Sequence, residues 1–149
     1  MKSRRITSKT AVETKTIAGE FSKKILKEKN DNDGAIIIGL IGELGSGKTT
    51  FAKGFAKGLG IRQIIQSPTF IIARRHDIKY KNYRNFYHID AYRVSAKDFK
   101  TIGWKNWIKN PQNIILVEWA DRISKIMPKE STKIRFEVLK NGQRKITIR

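Results

Sequence analysis

Residues 42–49 read Gly42-Glu43-Leu44-Gly45-Ser46-Gly47-Lys48-Thr49, followed by Thr50, and this spacing of glycines, lysine and hydroxyl has a specific chemical use. Glycines allow successive backbone N–H groups to converge on phosphate oxygens, because a Cβ at Gly42 or Gly47 would block that approach or forbid the dihedrals. Lys48 supplies a point charge beside the same oxygens, and the Thr49 hydroxyl suits a magnesium ion. A helix that starts here adds the positive end of its dipole beneath the phosphates. The octapeptide therefore predicts a site for a nucleoside triphosphate and Mg2+.

Magnesium at such a site needs an acidic oxygen, normally from the carboxyl end of a strand beside the loop. With 13 Asp and Glu against 32 Lys and Arg, the candidates are few. Glu118 closes the apolar run Ile114-Ile115-Leu116-Val117, and Asp90 closes Phe86-Tyr87-His88-Ile89; both would lie at the carboxyl edge of a sheet, where open α/β folds bind ligands. Glu43 is expected to point outward, since a carboxylate aimed at a triphosphate is repelled. Asp77 and Asp121 read as surface or capping residues. His88 shares a strand face with Asp90 and reads as a group that orients it rather than as a general base. Arg93 pairs with either a phosphate or Asp90, and spacing leaves both open. Thr69, after the Ser67-Pro68 turn, has the character of a switch hydroxyl that senses the terminal phosphate.

These groups must be held by regular elements. Ala35 to Ile41 is apolar throughout, as a buried parallel strand should be. Phe51, Phe55 and Leu59, with Ala52 and Ala56, mark one face of the helix behind the loop. Val12, Ile17, Phe21, Ile25 and Leu26 predict an N-terminal helix over about 11–29, ended by the turn cluster Asn30 to Gly34. Runs 70–77 and 83–90 read as a hairpin, 95–108 as one helix carrying Trp104 and Trp107, and 114–117 as a second buried strand. Asn141-Gly142 marks the turn of a closing hairpin over about 133–149. The elements predict an α/β fold of the P-loop NTPase type: a single three-layer domain, 1–149, with a mostly parallel central sheet plus β-hairpins.

Composition narrows the class. At 149 residues the chain is long enough to bury a core on both faces of a small sheet. Having no cysteine, it holds neither a disulfide framework nor a thiolate metal site, which is compatible with a reducing cytoplasm. Its apolar runs fall far short of the roughly 18 residues of a membrane span, and residues 1–20 lack the apolar centre of a signal peptide, so a cytoplasmic protein with no membrane partner is expected. The net charge of +19 pulls toward polyanions such as RNA. The lysines are scattered, however, which equally fits a solvated basic surface. Aromatic interleaving is confined to residues 80–87 and reads as one face of a strand.

Four segments in order, 42–51 (GELGSGKTTF), Ser67-Pro68-Thr69-Phe70, His88-Ile89-Asp90-Ala91-Tyr92-Arg93 and Val117-Glu118-Trp119-Ala120-Asp121-Arg122, resemble the signatures of the bacterial TsaE (YjeE) family over nearly the whole chain. The resemblance implies a Mg-dependent ATPase that works with TsaB and TsaD in forming threonylcarbamoyladenosine in tRNA. It implies docking on the TsaB–TsaD pair, and hydrolysis needed for repeated turnover rather than for the carbamoyl transfer. By the same resemblance Gly45, Ser46, Gly47, Lys48, Thr49 and Thr50 wrap the phosphates, and Thr49 and Glu118 hold magnesium. Asp90 positions or activates water, Thr69 is the switch-like threonine, Trp119 stands near the nucleotide, and Gly142 approaches the adenine side. Segment 95–100, usually acidic in the family, here carries Lys97 and Lys100. Hydrolysis is expected to be slow alone and faster with partners. A small P-loop kinase, with Arg74-Arg75 in its lid, is the alternative; a nucleotide-gated RNA-binding module, with tRNA held by the basic surface, is a third reading.

Overall fold

Ile36-Ile37-Ile38-Gly39-Leu40-Ile41 has no polar side to turn toward water and forms β2 (Ile36–Ile41) in the middle of the sheet. The computed structural model describes residues 2–63 and 72–149. Around β2 lie β1 (Arg4–Ser8), α1 (Ala11–Lys27), α2 (Lys48–Gly58), β3 (Ala73–Asp77), β4 (Asn85–Asp90), α3 (Ala96–Thr101), α4 (Trp104–Lys109), β5 (Asn113–Glu118), a 3₁₀ turn (Ala120–Ile123), β6 (Thr132–Val138) and β7 (Arg144–Ile148). The strands make one seven-stranded sheet in the order β1-β7-β6-β2-β5-β4-β3. β6, β2, β5 and β4 are parallel, whereas β3 with β4, β6 with β7, and β7 with β1 are antiparallel. The result is a mixed α/β sheet with a parallel centre and antiparallel margins.

Helices cover the centre on both sides, which is why β5 is buried at every position. One core lies under α1 and α2 and joins Ile38, Leu40, Phe51, Phe55, Phe86, Leu116 and Phe136. Phe51 packs edge-on against Phe136 with ring centroids 5.4 Å apart. The second core, under α3, α4 and the 3₁₀ turn, joins Ile37, Ile89, Val117, Phe99, Trp104 and Ile123. Among the described residues no helix is long and apolar enough to cross a membrane.

Thr10 caps α1, accepting the Glu13 N–H at 3.1 Å, while the Glu13 carboxylate accepts the Lys9 N–H at 2.6 Å. α1 and α2 meet through small residues. A Cβ built on Gly54 would run into the Lys15 backbone, and one on Gly58 into Ser22 Oγ and the Gly19 backbone. Gly54→Ala is therefore expected to destabilise the protein: overpacking costs about 1–3 kcal/mol and outweighs a helix-propensity gain of about 1 kcal/mol. Urea unfolding checks this, and an unchanged or raised midpoint would contradict it.

Three expectations change. β1 was not foreseen, since Ile6 is its one apolar residue and the pairing partner, β7, lies at the far end of the chain. Val12, expected on the buried face of α1, is 72% exposed; the buried stripe is Thr14, Ala18, Ser22 and Leu26, small enough for the close approach to α2. The single helix over 95–108 is two, because Gly103 takes a left-handed φ of 95° between α3 and α4. Trp104 then packs on Phe99, and Trp107 stacks on Tyr87 at 4.3 Å. In the predicted hairpin, β3 begins at Ala73, and Phe70 lies outside the described residues.

Candidate functional site

Because β2, β4 and β5 are parallel, their carboxyl ends open on one edge of the sheet. The register sets Asp90 beside Glu118, and Glu118 beside Leu40, two residues before the glycine loop. Phe86, Ile114, Leu116, Ile38 and Leu40 all lie in the core beneath α1 and α2. By the two-residue alternation of a strand, His88, Asp90 and Glu118 therefore share that face, the side from which α2 carries Thr49.

The polar side chains of this edge hold one another in place. Thr49 Oγ1 donates to Glu118 Oε1 at 2.7 Å. His88 Nε2 lies 2.6 Å from Glu118 Oε2, with both side chains almost wholly buried. The other ring nitrogen, His88 Nδ1, is buried with no hydrogen-bond partner among the described residues. His88 thus holds Glu118, not Asp90 as its place on the strand suggested: it reaches across to the neighbouring strand rather than along its own. Asp90 is half-buried and its Oδ1 accepts the Tyr92 N–H at 2.9 Å.

Lys48 is folded back over the loop. Its Nζ donates to Gly42 O at 2.5 Å, Glu43 O at 2.8 Å and Ser46 Oγ at 3.4 Å, so all three ammonium protons have acceptors. It also sits 3.9 Å from the centre of the Trp119 ring. Burial pushes the Lys48 ammonium below its ordinary pKa, while the charges of Glu118, Asp121, Asp90 and Glu43 oppose that push. Gly47 turns the chain into α2 with a left-handed φ of 108°, which disfavours any other residue. At Gly42 the packing of the loop supplies a further reason for glycine. A Cβ there would lie 2.6 Å from Ser46 Oγ and 2.8 Å from Phe136 O, so the loop's own packing on β6 excludes it.

Trp119 is the one described non-glycine residue with positive φ, at 59°. Holding a bulky residue there costs about 1–3 kcal/mol. It turns the ring over Lys48 and beside Tyr92, with centroids 4.8 Å apart, and Arg122 lies over both rings.

These groups line a cleft of about 790 Å3, within the range of small-molecule sites. Gly45, Gly47, Lys48, Thr49, Thr50, Asp90, Arg93, Glu118, Trp119 and Gly142 all reach it, and Ser46 is buried beneath the loop. Glu43 is exposed, as expected. Asp77 pairs with Arg75 at the surface at 2.7 Å, and Asp121 is exposed at the 3₁₀ turn. Thr69 lies outside the described residues. Two contributions were missed. The start of α1, with Lys9, Thr10, Ala11 and Thr14, forms one wall; the Thr10–Glu13 capping pattern was the available signal. Arg144 donates through Nη2 to Gly45 O at 3.1 Å and through Nη1 to Gly142 O, tying the closing turn to the glycine loop, and nothing local in the sequence announces it.

The donor set is one carboxylate and one hydroxyl. It would suit a small hard cation that retains waters and shares the oxygens of a ligand, as Mg2+ does. No cluster of three or more His, Cys, Asp or Glu able to hold a metal by itself occurs among the described residues.

Comparison with known proteins now decides the family. The family model described as threonylcarbamoyl adenosine biosynthesis protein TsaE matches residues 8–146. The chain belongs to the TsaE family. TsaE of Bacillus subtilis (strain 168) is 38% identical over 111 residues, 74% of this chain and 67% of that one. TsaE of Treponema pallidum (strain Nichols) is 36% identical over 117 residues, 78% of this chain and 82% of that one. YdiB of Bacillus subtilis, known from a crystal structure, superposes with a TM-score of 0.76 at 30% identity, covering 99% of this chain and 84% of that one. Membership places this TsaE-family protein in the biosynthesis of threonylcarbamoyladenosine in tRNA.

Proposed function

We propose that the chain is a P-loop NTPase that binds ATP with Mg2+ and hydrolyses it in support of tRNA modification by TsaB and TsaD, in the cytoplasm. The observation that carries this reading is the 2.7 Å hydrogen bond from Thr49 to Glu118 at the end of a glycine loop whose lysine is already in place. A hydroxyl and a carboxylate from distant parts of the chain meet where the metal of a nucleotide site belongs.

In this reading Lys48 exchanges Gly42 O and Glu43 O for phosphate oxygens, and the amides of Gly45 to Thr50 and the start of α2 receive the rest. Thr49 and Glu118 would hold Mg2+, which neutralises charge that develops on the phosphates. His88 fixes the rotamer of Glu118 through Oε2, leaving Oε1 to face Thr49. Asp90, beside Glu118 at the strand ends, orients the attacking water and takes its proton. Trp119 and the start of α1 flank the remainder of the nucleotide.

Turnover rests on positioning and charge neutralisation, and Arg93 is exposed at the cleft rather than locked against the loop. Hydrolysis is therefore expected to be slow for the isolated chain and to accelerate when TsaB–TsaD is bound. Phosphate release with and without those partners checks this, and equal rates would reject the gating. The kinase alternative is not favoured. Arg75, which a lid would need to present to phosphates, is tied to Asn85 and Asp77 at the sheet edge, and β3 is a short edge strand.

A further inference from the structure

Among the described residues, the margin formed by β1, β7 and β6 packs against helices on one face only. Ile6, Ile134, Phe136, Ile146 and Ile148 point into the core beneath α1 and α2. The alternate residues of these strands point the other way, and none of the three strands contributes to the second core. On that outer face Arg5 and Arg135 flank Thr147. Thr7, Lys145 and Glu137 form the next row, and Lys133 and Arg149 exchange both backbone hydrogen bonds, at 2.8 and 2.9 Å, to form another. Arg5, Lys133, Arg135 and Arg149 are exposed, and Lys145 partly so.

Five cations thus share this face with a single acid, Glu137. Lys145 pairs with it at 2.7 Å, which leaves four basic side chains uncompensated by any described acid of the three strands' outer face. The Glu137 carboxyl is held below the usual carboxylate range, first by the Lys145 hydrogen bond and then by the charges of Lys145, Arg135 and Arg5, so these groups act in one field. Charges on one strand recur about every 7 Å and rows on neighbouring strands lie about 5 Å apart, a grid that matches the close spacing of phosphates along a nucleic-acid backbone. The rows hold no aromatic residue to stack on bases. One row ends close to the glycine loop, where Arg135 stands opposite Ile41, the residue before Gly42.

We propose that the outer face of β1, β7 and β6 docks the phosphate backbone of tRNA, without reading its sequence. Five of the chain's scattered cations thereby form one organised surface, and the family's place in tRNA modification makes tRNA the polyanion at hand. Docking of this kind does not depend on ATP hydrolysis.

The test is anisotropy of a labelled tRNA transcript titrated with the full chain, without nucleotide, across a salt series. For about four phosphate contacts, log K should fall with log salt with a slope of about −3 to −4. Arg5→Gln/Lys133→Gln/Arg135→Gln is expected to weaken binding about tenfold or more and to flatten the slope by about 2, whereas Lys23→Gln/Lys27→Gln/Lys57→Gln, on exposed positions of α1 and α2, should change neither appreciably. Thr7→Glu, which removes no packing, should weaken binding as well. Phosphate release by these variants should stay at the wild-type rate, which separates this proposal from the ATPase reading. Equal losses in the two triple variants would show diffuse charge and overturn the proposal. So would unchanged tRNA binding accompanied by lost capture of TsaB–TsaD, which would make the face a protein interface.

Discussion

Replacing Lys48 by alanine is expected to raise the dissociation constant for ATP with Mg2+ by about two orders of magnitude while the protein stays folded. The ammonium now makes two short bonds to Gly42 O and Glu43 O, and the proposed nucleotide complex redirects them to phosphate oxygens. Hydrogen bonds to charged groups contribute about 1.5–3 kcal/mol each. Losing two at the lower figure gives about 3 kcal/mol, or roughly a hundredfold. The fold should tolerate the change. Burial already disfavours the Lys48 charge in the folded chain, and the carbonyls it leaves belong to a loop that borders the cleft. Calorimetric titration checks the affinity and a thermal melt checks the fold; a dissociation constant within about threefold of wild type, below roughly 0.7 kcal/mol, would contradict the proposed role.

Glu118→Gln should separate binding from hydrolysis. Both carboxylate oxygens are engaged, Oε1 by Thr49 and Oε2 by His88. A glutamine keeps one oxygen and turns an NH2 toward the other partner, and it offers no negative charge to Mg2+. ATP affinity, carried by the loop and Lys48, is expected to change little. The rate of phosphate release should fall by about 10²–10³, the loss typical for a group that stabilises transition-state charge. A structural cost accompanies this. If the new NH2 faces His88 Nε2, the ring must place its proton on Nδ1, which is buried without a partner among the described residues. A buried unsatisfied donor costs about 1–3 kcal/mol, and at this chain length each kcal/mol lowers Tm by about 2–4 °C. Single-turnover phosphate release and scanning calorimetry report the two effects independently. Wild-type hydrolysis in this variant would remove Glu118 from the reaction.

The two expected results differ because the elements that carry Lys48 and Glu118 differ. Lys48 belongs to a loop whose conformation is set within eight residues, by Gly47 at positive φ and by the Lys48 bonds themselves. Glu118 comes from a strand and lies 69 positions beyond Thr49, and only the parallel pairing of β2 with β5 brings the two together. His88 comes from β4, and the β4–β5 pairing determines which acid it meets.

Local signals were read well where local physics decides. A glycine loop between an apolar strand and an amphipathic helix needs no tertiary context, since backbone dihedrals and side-chain periodicity specify it. The acids at the ends of two buried strands were legible for the same reason. β1 was not, because a five-residue edge strand with one half-buried isoleucine has no period of its own and exists by pairing with β7. The break at Gly103 is hidden in the sequence because Phe99 before it and Trp104 and Trp107 after it keep a helical spacing of large apolar residues.

By itself, then, the sequence determined the loop, the central strands and the identity of the candidate acids, all features encoded within about one strand or helix length. Tertiary structure decided that His88 grips Glu118 rather than Asp90, that Arg144 ties the closing turn to Gly45, that Phe136 and Ser46 crowd Gly42, and that scattered cations assemble on one sheet face. Each of these depends on strand order and register, which are fixed by how distant apolar faces pack and not by any residue's neighbours in the chain.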